Sequence, residues 1–189
     1  MEKSKIVRNI PNLITITRLF LTIFFLILCL NTRLYLGILF TFLLICISDI
    51  IDGKIARYLN SVTKLGSILD VLIDSFFIFS ALGILCCQEH VIPLWFILIV
   101  FINLVVFITT SYIIQKFSIN SRNFFVFDLI GRISAILFYL IPGIAYSVIY
   151  LNLNSKLILK CIISVNTVLA LAACISRITK LSISKDKPL

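Results

Sequence analysis

Residues 34–87 read LYLGILFTFLLICISDIIDGKIARYLNSVTKLGSILDVLIDSFFIFSALGILCC. Two apolar runs, each long enough to cross a bilayer as a helix, flank a short polar stretch. Asp49 and Asp52 close the first run, and Asp70 and Asp74 open the second. Half of the eight acidic residues of the chain therefore fall within 26 positions. A lone carboxylate in hydrocarbon is expensive, so acidic residues in such runs face the bundle interior and mark function. The spacing i, i+3 puts Asp49 and Asp52 on one helix face, and i, i+4 does the same for Asp70 and Asp74. A connection of residues 53–65 lets the two helices turn back on each other. The expected result is a pocket of oxygen ligands in which four like charges repel unless a cation binds them.

The rest of the chain has the same character. Of 189 residues, 61% are hydrophobic and 13% charged, and the mean hydropathy is +1.16. An ordinary soluble domain carries about 25% charged residues. A disordered chain, a coiled coil, a disulfide scaffold and a soluble domain are excluded. Apolar segments recur at roughly 13–30, 34–52, 66–87, 91–115, 125–150 and 158–176. The reading is an all-α polytopic membrane protein with six transmembrane helices, forming one domain over 1–189. No small-residue cleavage site follows the first segment, so it is expected to be retained as a span. Residues 1–10 read either as a short interfacial helix ahead of Pro11 or as a frayed tail.

The net charge of +9 sits between the apolar runs rather than on a face that alternates with aromatics. It therefore reads as topology-setting charge near anionic lipid, not as a nucleic-acid footprint. With the N-terminus inside, Lys3, Lys5, Arg8, Lys54, Arg57, Lys64, Lys116, Arg122, Arg177, Lys180, Lys185 and Lys187 are cytoplasmic. Only Arg33, Lys156 and Lys160 are outside, and Arg18 and Arg132 fall within spans. Twelve against three predicts both termini and the 53–65 connection in the cytoplasm. The six cysteines form no CxxC pair, and His90 is the only histidine. A zinc site has no ligand set, and the cysteines read as small packing residues.

Oxygen-only ligation selects a hard cation such as Mg²⁺ or Mn²⁺. Gly53 and Ala56 keep the neighbouring wall thin, and Arg57 offers a planar donor fork for phosphate. Carboxylates, metal and arginine together describe phosphoryl transfer. The full pattern is Asp49-x2-Asp52-Gly53-x2-Ala56-Arg57-x8-Gly66-x3-Asp70-x3-Asp74. It resembles the signature of the CDP-alcohol phosphotransferase family at all eight fixed positions. Chance agreement at eight positions is on the order of 10⁻¹⁰.

The resemblance implies that CMP is displaced from a CDP-alcohol, usually CDP-diacylglycerol, by the hydroxyl of a second alcohol. It implies a two-metal site on Asp49, Asp52, Asp70 and Asp74, with Asp74 also the base. Gly53, Ala56, Arg57, Thr63 and Gly66 would border the donor. It further implies a homodimer in a bacterial cytoplasmic membrane. In the first span, Asn12, Thr15 and Arg18 share a face at i, i+3, i+6 and resemble a donor-bordering pattern at the start of family members. An intramembrane arginine can also be a residue whose head reaches back to the interface.

The acceptor is not written in the motif. The opening NIPNLITITR resembles phosphatidylglycerophosphate synthases, which points to glycerol 3-phosphate. Two features depart from that group: Ser75 stands where lysine is usual, and the fourth span has no Arg-Glu pair. Inositol phosphate and serine stay open as acceptors. Arg132, four residues after Asp128, and Arg177 are the candidate acceptor-phosphate ligands, with an Asp128–Arg132 structural pair as the alternative for the former. A reading from another class is a small ion-coupled transporter that uses the acidic pocket as a relay. Such a transporter has no need of Gly53, Ala56, Arg57 and Gly66 at these spacings.

Overall fold

A computed structural model describes residues 2–31, 34–58, 64–117 and 129–185. Six helices account for nearly all of them, and there is no strand among the described residues. They are α1 (Glu2–Asn31), α2 (Tyr35–Tyr58), α3 (Lys64–Cys87), α4 (Leu94–Phe117), α5 (Leu129–Tyr150) and α6 (Ser155–Lys185). Five contain stretches long and apolar enough to cross a membrane: Tyr35–Ile55, Gly66–Cys87, Leu94–Ile113, Leu129–Tyr150 and Lys156–Thr179. In α1 the apolar part, Thr15–Asn31, is shorter.

The helices outrun the apolar segments. Residues 2–10 are continuous with α1 through Pro11 rather than a separate interfacial element. The expected 53–65 connection is overrun at both ends, because α2 runs on to Tyr58 and α3 begins at Lys64. Lys54, Ala56 and Arg57 are good helix formers, so the backbone continues past the last apolar residue. Hydropathy marks where the bilayer ends, not where the helix does.

Polar residues end the helices on the other side. After α5, Asn152 adopts a left-handed φ of 51°. The Leu153 amide bonds the Val148 carbonyl and the Asn152 amide bonds the Ile149 carbonyl. This is a Schellman closure with asparagine at its left-handed position. Asn154 then caps α6 by accepting the Leu157 amide on its side-chain oxygen at 3.3 Å.

The chain divides into two compact units. The first comprises residues 1–85 with 142–153, and the second 86–141 with 154–189. One of the three boundaries falls at Pro142 inside α5, where proline removes one helical hydrogen bond.

In the first unit, α1, α2 and α3 meet around aromatic side chains. Phe25 packs edge-on against Phe77 (centroids 5.4 Å apart) and against Tyr146 of α5 (6.1 Å), and Phe42 stacks on Phe77 at 6.2 Å. Such pairs add about 0.5–1.5 kcal/mol each beyond their buried area. Gly143 lets α5 approach α2 closely. A Cβ at this position would stand 2.1 Å from a Phe42 ring carbon. Small residues allow this intimacy where lipid supplies no hydrophobic drive between helices.

In the second unit, α4 and α6 pair along a seam of alternating three- and four-residue steps. Phe96, Val100, Asn103, Phe107 and Thr110 form one side, and Leu159, Ile163, Asn166, Ala170, Ala173 and Arg177 the other. This is a coiled-coil spacing, with small alanines admitting close contact. Asn103 donates to the Ala170 carbonyl at 2.9 Å, and seven residues later on both helices Arg177 donates to Thr110 Oγ1 at 3.3 Å. The partners climb together, so α4 and α6 are parallel. Spans two apart in the chain must run in the same direction across a membrane, and this pair does. Cys29 is buried, whereas Cys87 and Cys161 are exposed.

Candidate active site

The site lies in the first unit, and the register of three helices builds it. On α1 and α2, Thr15 meets Asp52 and Arg18 meets Asp49, so the partners fall as the α1 numbers climb and the helices are antiparallel. On α1 and α3, Arg18 meets Asp70 and Phe25 meets Phe77, two turns further along each, so these helices are parallel. Asp49, Asp70 and Asp74 are thereby brought to one level. One carboxylate oxygen from each lies within 4.8 Å of the other two.

Arg18 is the counter-charge of this cluster. Its side chain is 1% exposed, although it lies in an apolar helix. Nη1 donates to Asp49 Oδ1, Nη2 donates to Asp70 Oδ1, and Nη1 stands 3.1 Å from Asp74 Oδ1. A planar guanidinium bridging carboxylates on two helices is an arrangement that lysine cannot reproduce. The sequence alone suggests Arg18 as a donor-bordering or snorkelling residue and leaves the repulsion among the aspartates to a bound cation, whereas Arg18 itself pairs with three of them. A cationic residue on the neighbouring span was the available signal, since intramembrane charges pair with one another.

Asp52 is placed beside the cluster rather than in it. It is 7% exposed and accepts a hydrogen bond from Thr15 Oγ1 at 2.8 Å. Thr15 and Arg18 thus both face the aspartates, as their shared helix face predicts. Gly53 has open space around it: a Cβ there would meet nothing within 4 Å. Gly66 lies one turn before Asp70 on α3. Asn12 is on α1, and Ala56 and Arg57 are on α2, but their side chains fall outside the described residues, as does Thr63 entirely.

The acceptor candidates lie in the second unit. Arg132 is exposed near the start of α5, and its expected partner Asp128 lies outside the described residues. Arg177 is buried, with its guanidinium carbon 4.5 Å from the Phe107 ring centroid and a hydrogen bond to Thr110. A buried cation over an aromatic face is held in one geometry.

Three convergent carboxylates from two helices, with hard oxygen donors and no thiol or imidazole among them, fit a divalent cation of the Mg²⁺ class. The match to protein families agrees with that chemistry. The model for CDP-alcohol phosphatidyltransferase matches residues 8–176. The chain belongs to this family. A relative from Aquifex aeolicus (strain VF5), named CDP-diacylglycerol–glycerol-3-phosphate 3-phosphatidyltransferase, is 34% identical over 110 residues. That match covers 57% of this chain and 61% of the relative, so the chain spans less than two thirds of the relative's length. The family match runs from the end of the N-terminal polar stretch to the last turns of α6. It takes in the aspartates, Arg18 and Arg132, and ends one residue before Arg177.

Proposed function

We propose that this protein is an integral membrane transferase of phospholipid synthesis that moves a phosphatidyl group from CDP-diacylglycerol to glycerol 3-phosphate, releasing CMP. The observation that carries the reading is the convergence of Asp49, Asp70 and Asp74 within a family member that holds all eight motif positions. The name of the relative supports glycerol 3-phosphate over inositol phosphate or serine. Family membership disfavours the transporter reading, which needs no such motif.

Asp49, Asp52, Asp70 and Asp74 would hold Mg²⁺ or Mn²⁺, which supplies charge neutralisation for the pyrophosphate of the donor. Thr15 orients Asp52 through its hydrogen bond. Asp74 accepts the proton of the acceptor hydroxyl as its oxygen bonds the phosphorus of the phosphatidyl group. The bond from that phosphorus to the bridging oxygen breaks, and the electron pair leaves with CMP. Gly53, Ala56, Arg57, Thr63 and Gly66 border the CDP moiety, with Asn12 and Arg18 on the α1 side. Gly53 leaves open space for a ligand to approach the backbone. Arg132 and Arg177 bind the acceptor phosphate as charge-assisted donors. Both termini and the active site face the cytoplasm of a bacterial cell in this reading, and the charge asymmetry supports that side. The homodimeric state implied by the family resemblance belongs to the same reading.

The test is product identification. Purified protein is given radiolabelled CDP-diacylglycerol with Mg²⁺ and, separately, glycerol 3-phosphate, inositol phosphate, serine and free glycerol. Label in phosphatidylglycerophosphate is expected. Label with serine or free glycerol preferred would remove the acceptor assignment, and no CMP release with any alcohol would remove the reaction class.

A further inference from the structure

Arg18 uses the same carboxylates that a metal would need. Its two terminal nitrogens contact Oδ1 of Asp49, Asp70 and Asp74, the three residues whose ligand atoms converge. A cation bonded to those atoms competes with a second cation for their lone pairs. The two positive charges also repel at a separation of a few ångströms. The guanidinium is nevertheless only partly committed. Arg18 Nε is buried and has no hydrogen-bond acceptor among the described residues. An orphan donor on a buried charged group is costly in a purely structural ion pair.

Resting on the reading of the aspartates as a metal centre, we propose that Arg18 is a built-in counter-ion. Its guanidinium neutralises Asp49, Asp70 and Asp74 when no divalent cation is bound, yields them when one binds, and thereby sets the metal affinity of the site. Removing the arginine leaves three convergent carboxylates without compensation, so the metal-free fold weakens. The same change removes a positive charge from beside the incoming metal, so metal binding strengthens. A residue that merely positions the aspartates for metal gives the opposite sign: its loss weakens metal binding.

The experiment uses the full chain in detergent and needs no turnover. Thermal unfolding in excess chelator and Mn²⁺ affinity, read from the EPR signal of the free ion, are measured for wild type, Arg18→Gln and Arg18→Lys. Arg18→Gln should lower the metal-free Tm by roughly 5 °C or more. It should also bind Mn²⁺ about tenfold or more tightly than wild type. Arg18→Lys keeps a charge but loses the fork, so its Mn²⁺ affinity should lie between the two. If Arg18→Gln does not fold, Arg18→Lys decides alone. Mn²⁺ affinity unchanged or weaker in the folded variant overturns the inference and leaves the metal centre intact. Wild type that binds no Mn²⁺ overturns the metal centre and the inference with it.

Discussion

Arg18 Nη1 stands 3.1 Å from Asp74 Oδ1, linking the first helix to the residue proposed here as the base. That contact holds the Asp74 carboxylate beside those of Asp49 and Asp70. Asp74→Asn keeps the shape and loses the proton acceptor. Turnover should fall at least about 100-fold, the usual scale of a general-base contribution. Binding of CMP should change far less, and calorimetric titration with CMP checks this. A parallel loss of CMP binding and turnover would make Asp74 a binding residue only.

The approach of α5 to α2 at Gly143 gives a stability prediction. Gly143→Leu must displace the Phe42 ring, which also stacks on Phe77. Overpacking of this kind costs about 1–3 kcal/mol. Unfolding in detergent should report that loss, and the double variant Gly143→Leu/Phe42→Ala should recover part of it. An unchanged Tm for the single variant would contradict the close packing of these helices.

Under the proposed function, Arg132 and Arg177 serve the acceptor and not the donor. Arg132→Ala should raise the acceptor KM about 10- to 150-fold, the scale of one charged phosphate contact, and leave the donor KM nearly constant. Arg177→Ala should do the same and also lower stability, because Arg177 stacks on Phe107 and bonds Thr110. Steady-state kinetics with each substrate varied in turn check both. An unchanged acceptor KM in Arg132→Ala would remove that residue from the site.

Much of this was legible in the sequence. The spacing of Asp49, Asp52, Asp70 and Asp74 and the six apolar segments carry the site and the helix count, because burial of charge and bilayer thickness leave little freedom. The register was less legible. Uniformly apolar spans hide which face packs, and among the described residues of α4 and α6 the buried polar side chains are Asn103, Thr110, Ser111, Asn166 and Arg177. The extension of α2 to Tyr58 was hidden because hydropathy reports solvent rather than backbone. Arg18 was read on the correct face, but its partnership with three aspartates depends on a three-helix register that pairwise spacing does not contain.

The charge asymmetry predicts the orientation. In a cysteine-free background, a cysteine at position 61 should be labelled from the cytoplasmic side only. One at position 152, beyond the α5 closure, should be labelled from outside only. The reverse pattern would invert the topology.

The central claim is metal-dependent phosphatidyl transfer at the aspartate cluster. Its most direct measurement is CMP release from CDP-diacylglycerol and glycerol 3-phosphate by purified wild type and Asp70→Asn, with Mg²⁺ and with excess chelator. The account predicts CMP release by wild type only when the metal is present. It predicts a loss of at least about 1,000-fold in Asp70→Asn, on the scale of removing a group that stabilises transition-state charge. Substantial CMP release by Asp70→Asn, or by wild type in excess chelator, would contradict it.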